Sequence, residues 1–164
     1  MVSTAFQSPG LPSGLKVPDT EPTPRTILQL VGEMRGAPRS STCTDGTRLV
    51  LDLDATVVAG PLSGGRAIGF GQFTLGRDGS VRLAGSHTIV SGEEAISLAL
   101  HGIVMAGADE HVEGVGFPDR DYALQGSGLI HAQGDSVASL DGTVAVVRGW
   151  VNFESGEVEI EALA

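Results

Sequence analysis

Residues 81–104 read VRLAGSHTIVSGEEAISLALHGIV, and this stretch decides the fold. If Ser91 to Glu94 make a turn, Val90 stands opposite Ala95 and Val81 opposite Val104. Residues directly across an antiparallel pair share a face. One face then collects Val81, Leu83, His87, Ile89, Ile96, Leu98, Leu100 and Val104; the other collects Arg82, Ala84, Ser86, Thr88, Ser97, Ala99 and His101. Period-two segregation of this kind is the mark of a half-buried strand pair. The register predicts that His87 points inward and His101 outward.

The same pattern spreads in both directions. Short apolar or alternating segments separated by Gly, Asp and Ser clusters predict strands at about 26–34, 47–58, 65–75, 81–90, 95–106, 122–132, 142–153 and 157–163. Asp78-Gly79 marks one tight hairpin, and Glu154-Ser155-Gly156-Glu157 divides two alternating runs. In the last run Val158, Ile160 and Ala162 alternate with Glu157, Glu159 and Glu161, so the glutamates are expected in water. Setting Phe153 opposite Val158 turns Ala145, Val147, Val151 and Phe153 inward and Val144, Val146, Arg148 and Trp150 outward. No helical period of useful length occurs. Eight consecutive strands joined by short links predict an all-β fold, a single closed antiparallel up-and-down barrel, because closure removes exposed edges.

Residues 1–24 carry prolines at 9, 12, 18, 22 and 24 and little that can pack, so they are expected to form a flexible arm ahead of a barrel domain over 25–164. The polar stretch from Gly107 to Asp121 is too long for a hairpin and reads as a binding loop or lid.

Composition restricts the partners. The chain of 164 residues has 24 glycines, twice the ~7% average usage, which suits tight turns and bent strands. Twenty Asp and Glu against ten Lys and Arg give a formal charge of −10, which repels phosphate backbones and anionic lipid, so neither nucleic acid nor a membrane is an expected partner. Cys43 is the single cysteine and cannot form an internal disulfide. The first 26 residues lack the apolar core of a signal peptide, so a cytoplasmic location is the default expectation. The exposed valines 144 and 146 beside Trp150 suggest a homo-oligomer contact on the outer face of strand 142–153.

Candidate chemistry is sparse. An imidazole among leucines loses solvation when charged, which keeps it neutral, so His87 reads either as an acid–base residue or as a core histidine with its hydrogen bonds satisfied. Asp109, Glu110, His111 and Glu113 form an acidic loop cluster that could ligate a cation but reads equally as a solvated loop, and no metal is expected. Asp52 and Asp54 share a strand face with Arg48, opposite Leu49, Leu51 and Leu53. No phosphate-binding loop, dinucleotide fingerprint, nucleophile elbow or zinc-finger spacing occurs, and no cofactor is expected.

Gly46-Thr47-Arg48, Gly60-Pro61-Leu62, Asp78-Gly79, Thr88, Ser91-Gly92-Glu93-Glu94-Ala95, Tyr122, Ser139-Leu140-Asp141, and Val158 with Ile160 follow one another in an order that resembles a family of small bacterial proteins, domain of unknown function 3237. The resemblance runs from about Arg25 to the end and implies a β-barrel. The chain departs from it in having Asp54-Ala55 for a Gly-Gly pair, Gln72-Phe73 for an Asp-Trp pair, and Ile130-His131 for an aromatic–acid pair.

The expectation from sequence is therefore a cofactor-independent enzyme of isomerase, cyclase or lyase type acting on a small, mostly apolar molecule inside the barrel. His87 and Tyr122 would be its catalytic groups, with Arg48, Phe70 and Leu98 as substrate contacts. The alternatives are a non-catalytic small-molecule-binding barrel and a structural protein with a filled core.

Overall fold

Alternating side chains, turn glycines and the lack of any helical stripe leave the backbone one way to satisfy its hydrogen bonds, which is in ladders between neighbouring strands. The computed structural model describes residues 23–105 and 121–164. Eight strands follow in chain order: β1 (Thr26–Cys43), β2 (Gly46–Ala59), β3 (Arg66–Gly76), β4 (Val81–Ser91), β5 (Glu94–Met105), β6 (Asp121–Gln133), β7 (Val144–Asn152) and β8 (Glu157–Leu163). Each pairs antiparallel with the next, and β1 pairs with β8 to close the barrel. A single 3₁₀ turn, Ala138–Leu140, lies between β6 and β7. The expected fold class is the one observed.

Closure has a measurable stagger. A row of paired residues that starts at Tyr122 on β6 passes through Val151, Val158, Gly32, Ala55, Ala67, Ile89 and Ile96 and returns to β6 at Ala132, ten residues further along. A stagger of that size tilts the strands steeply against the barrel axis. Eight strands enclose an interior just wide enough to be filled by side chains or to hold one small ligand.

The β4–β5 register is the one read from the sequence, with Val81 opposite Val104, His87 opposite Leu98 and Val90 opposite Ala95. In the last hairpin Val158 pairs with Val151, two residues from the expected Phe153, so Phe153 falls in the turn. A shift of two preserves every face: Ala145, Val147 and Val151 are buried, while Val144 and Val146 are exposed.

The main departure is β1, which runs to Cys43 rather than ending near 34. Gly36-Ala37-Pro38 reads as a break, yet the ladder with β2 resumes beyond it, from Arg39 opposite Val50 to Cys43 opposite Gly46. Three residues, Gly36 to Pro38, stand against the single Leu51 between Arg35 and Arg39, so two are extra and bulged out, with Gly36 at φ +82°, and the chain absorbs the interruption without leaving the sheet.

The two barrel ends differ. At one end the β2–β3 and β6–β7 connections fold Leu62 and Val137 inward, both fully buried, as a floor. At the other, Phe73 near the end of β3, Tyr122 near the start of β6 and Phe153 in the β7–β8 turn form an aromatic group. The expected arm, apart from its last two residues, and the expected lid with Asp109, Glu110, His111 and Glu113 lie outside the described residues. Among the described residues no helix is long and apolar enough to cross a membrane.

Candidate functional site

His87 sits in the middle of β4, flanked in register by Gly69 on β3 and Leu98 on β5. Its ring lies in a notch made by two glycines. A methyl at Gly69 would come within 2.6 Å of the imidazole Nδ1, and one at Gly85 would stand 3.0 Å from Nε2. At Gly69 the same methyl would also fall 2.1 Å from the Ser86 carbonyl oxygen, so only a residue without Cβ lets the strands approach this closely. The sequence therefore makes room for the ring by leaving side chains out.

The imidazole is 3% exposed, and its Nδ1 is sealed from solvent with no hydrogen-bond partner among the described residues. Burial pushes its pKa down to about 4, with no carboxylate among the described residues acting to hold a proton on it. At neutral pH the ring is uncharged, with one N–H donor and one acceptor nitrogen. Elsewhere on the inner wall Ala55, Ala67, Ala145 and Ala162 contribute only methyl groups, among the larger Leu30, Leu98 and Leu100.

Leu98 is fully buried opposite His87, as expected. Tyr122 also faces inward and is 2% exposed, but it belongs to the aromatic end. Its ring packs on Phe153 at 5.6 Å, and Phe153 meets Phe73 edge-on at 4.9 Å. The register row through His87 crosses β6 at Ile130, eight residues beyond Tyr122. The two expected catalytic groups thus share the lumen without being brought together.

Two expected substrate contacts are corrected. Arg48 is exposed on the outer face of β2, because Leu51 and Leu53 take the inner face of that strand. Phe70 is 43% exposed on the outer face of β3. Here the inward positions are Gly69 and Gly71, so the large apolar residues Ile68 and Phe70 point out, the reverse of the ordinary rule.

With this geometry in view, solved structures place the fold among known barrels. A protein of unknown function from Clostridium acetobutylicum ATCC 824 superposes with a TM-score of 0.68 at 14% identity, covering 86% of this chain and 97% of the other. A conserved protein of unknown function from Rhodopseudomonas palustris gives a TM-score of 0.62 at 13% identity over 87% and 98% of the two chains. A β-barrel-like protein from Acinetobacter baumannii AYE gives 0.65 at 14% identity over 88% and 98%. This is a likeness of fold. No protein-family model matches the chain, and no curated protein matches it.

Phe70 does line a cavity, though on the outside. An open cleft of about 510 Å³ runs over the outer face of β2–β4, with Ile68 and Phe70 as its apolar floor and Asp52, Asp54, Ser86 and Thr88 along it. Asp54 is held there by Arg66, whose Nε and Nη2 donate to its two oxygens at 3.0 and 2.8 Å, and by Arg35 at 3.3 Å. The Arg66 fork keeps the Asp54 carboxyl below its ordinary range. Arg39 pairs with Asp52 at 2.7 Å. These carboxylates are neutralised and solvent-facing, which suits surface ion pairs better than a separated acid and base. Among the described residues no three His, Cys, Asp or Glu side chains cluster as a metal site.

The sequence reading passed over Phe73 as a site residue, together with the Gly69–Gly85 notch. Phe73 was legible as an inward position, two residues beyond the inward glycine Gly71. The notch was not, because a glycine advertises no contact.

Proposed function

We propose that the barrel is a small-molecule-binding protein whose interior takes one mostly apolar molecule bearing a single hydroxyl or carbonyl group, hydrogen-bonded to His87. The observation that carries this reading is the unpartnered Nδ1 of a neutral imidazole enclosed by aliphatic side chains. Leaving a buried polar atom unpaired costs about 1–3 kcal/mol, so such atoms call for an explanation, and a ligand that completes the hydrogen bond supplies one. The buried alanines of the inner wall, Ala55, Ala67, Ala145 and Ala162, support the same reading, since they leave little side-chain bulk in the interior.

Binding stands ahead of catalysis for a physical reason. An efficient general acid or base has a pKa near the working pH, and an imidazole at about 4 is a poor base at pH 7. Among the described residues no carboxylate orients the ring, and Tyr122 lies at the far aromatic group. Isomerase, cyclase or lyase chemistry would need the ligand itself to supply a second polar group. The order of motifs that resembles domain of unknown function 3237 accords with a barrel and implies no activity.

A thermal-shift panel of small cyclic alcohols and ketones tests the proposal. A ligand at 100 times its Kd adds about 2.7 kcal/mol, or about 5–10 °C for a chain of this size. At least one compound should raise Tm by that amount in the natural protein and by much less in His87→Leu. A panel without any shift, or equal shifts in both proteins, would remove His87 from the function.

A further inference from the structure

The outer face of β3–β7 carries a patch that stands apart from the rest of this acidic surface. One row of paired outward residues runs Phe70, Ser86, Ala99, Leu129, Val144. The row on one side holds Ile68, Thr88, Ser97 and His131; the row on the other holds Gln72, Ala84, His101, Ser127 and Val146. None of these residues is Asp, Glu, Lys or Arg, in a chain with 30 such residues and a formal charge of −10. The charges begin only at the borders, with Asp52 and Asp54 beyond β3 and Arg82 and Arg148 one row further along the strands.

Side-chain size varies across the patch in a useful way. A barrel wall is convex, yet the smallest residues, Ser86 and Ala99, lie at the crest, and larger ones lie on the flanks: Phe70 and Ile68 to one side, Leu129, Val144 and Val146 to the other. Bulk at the flanks offsets part of the falling curve, and on the β3–β4 side it leaves the open cleft floored by Ile68 and Phe70. The large flanking residues are 40–69% exposed.

We propose that this face binds a second copy of the chain, with a two-fold axis near Ala99. Such an axis places Phe70 of one copy over Val144 of the other and Ser86 over Leu129, the self-matching arrangement that an isologous interface requires. Charge selects the occupant. Two copies at −10 repel over most of their surfaces, and the uncharged patch is where they can meet without burying an unpaired carboxylate. Five strands at ~4.8 Å spacing by three rows ~7 Å apart give on the order of 500 Å² of projected sheet. With side-chain relief this approaches the roughly 800 Å² per partner of a standard interface. Trp150 stays outside the contact: it is half-buried on the outer face, and its Nε1 donates to Glu159 at 3.1 Å.

Sedimentation equilibrium of the full chain tests this with two variants of equal charge. Ala99→Glu puts two carboxylates at the axis and should weaken the dimer at least ~100-fold, since juxtaposed like charges cost several kcal/mol. Val58→Glu, on exposed β2 and outside the patch, should leave the dimer intact. Both variants should keep the far-ultraviolet circular dichroism and Tm of the natural protein, because both sites face solvent. Raising salt should tighten the natural dimer by screening the repulsion between copies. A natural protein that stays monomeric near 1 mM, whatever else covers the face, would overturn the proposal, and so would an Ala99→Glu protein that dimerises as well as Val58→Glu.

Discussion

His87 is the residue on which the reading turns, and its pH behaviour is the plainest consequence of its burial. In the unfolded chain a histidine titrates near 6.5, whereas in the barrel its pKa is pushed down to about 4. Between those values the unfolded state binds the extra proton, so stability is complete above about pH 6.5, falls as the pH drops through the window, and levels off below about 4. The loss should total about 3 kcal/mol. Urea midpoints from pH 8 to 4.5 check this, and His87→Leu should flatten the dependence. If the natural protein is equally stable at pH 7 and 4.5, the imidazole is not enclosed as described. The paired carboxyls of Asp54 and Glu161, held below their ordinary range by hydrogen bonds, lose their contribution only at lower pH.

At pH 8 the leucine variant should be as stable as the natural protein or more so, by about 1 kcal/mol, because it removes an unpaired polar atom. Gly69→Ala should do the opposite. Its methyl meets the Ser86 carbonyl and the His87 ring together, and overpacking of this kind costs about 1–3 kcal/mol. A neutral Gly69→Ala in urea unfolding would mean that β3 and β4 are further apart than the notch requires. His87 and Leu98 were legible from sequence because β4 and β5 put most of their large apolar residues on one face, with Val90, Ile103 and Met105 as the outward exceptions. Phe70 was misread for the converse reason: glycines occupy the inner positions of β3, and the apolar signal that remains belongs to the outside.

At the scale of elements, the closed order of eight strands was legible from turn glycines and alternation, and the β4–β5 register was recovered pair for pair. The length of β1 was not. Gly36-Ala37-Pro38 carries the signature of a chain break, and nothing local shows that the ladder with β2 resumes at Arg39; that continuation depends on β2 being long enough to reach it. Gly36 sits at φ +82° with open space where a side chain would go, so Gly36→Ala strains the backbone alone. It should cost about 1–2 kcal/mol, read as a lowered urea midpoint. No change on substitution would mean that the bulge relaxes to ordinary backbone geometry.

For the whole molecule, an acidic barrel with an apolar interior has a floor at Leu62 and Val137 and an aromatic group at the other end, and the proposal is that this interior holds something small. The fold needed only patterning to be read. The chemistry could not be read the same way, because a lumen is defined by which side chains are small and which polar atom lacks a partner, and both depend on the stagger of all eight strands at once. The most direct test is native mass spectrometry of the protein freshly purified from its expression host, beside His87→Leu prepared identically. The account predicts a bound small molecule on the natural protein, released by organic solvent, and largely missing from the variant. A natural protein that flies bare, or a molecule retained equally by both proteins, would contradict it.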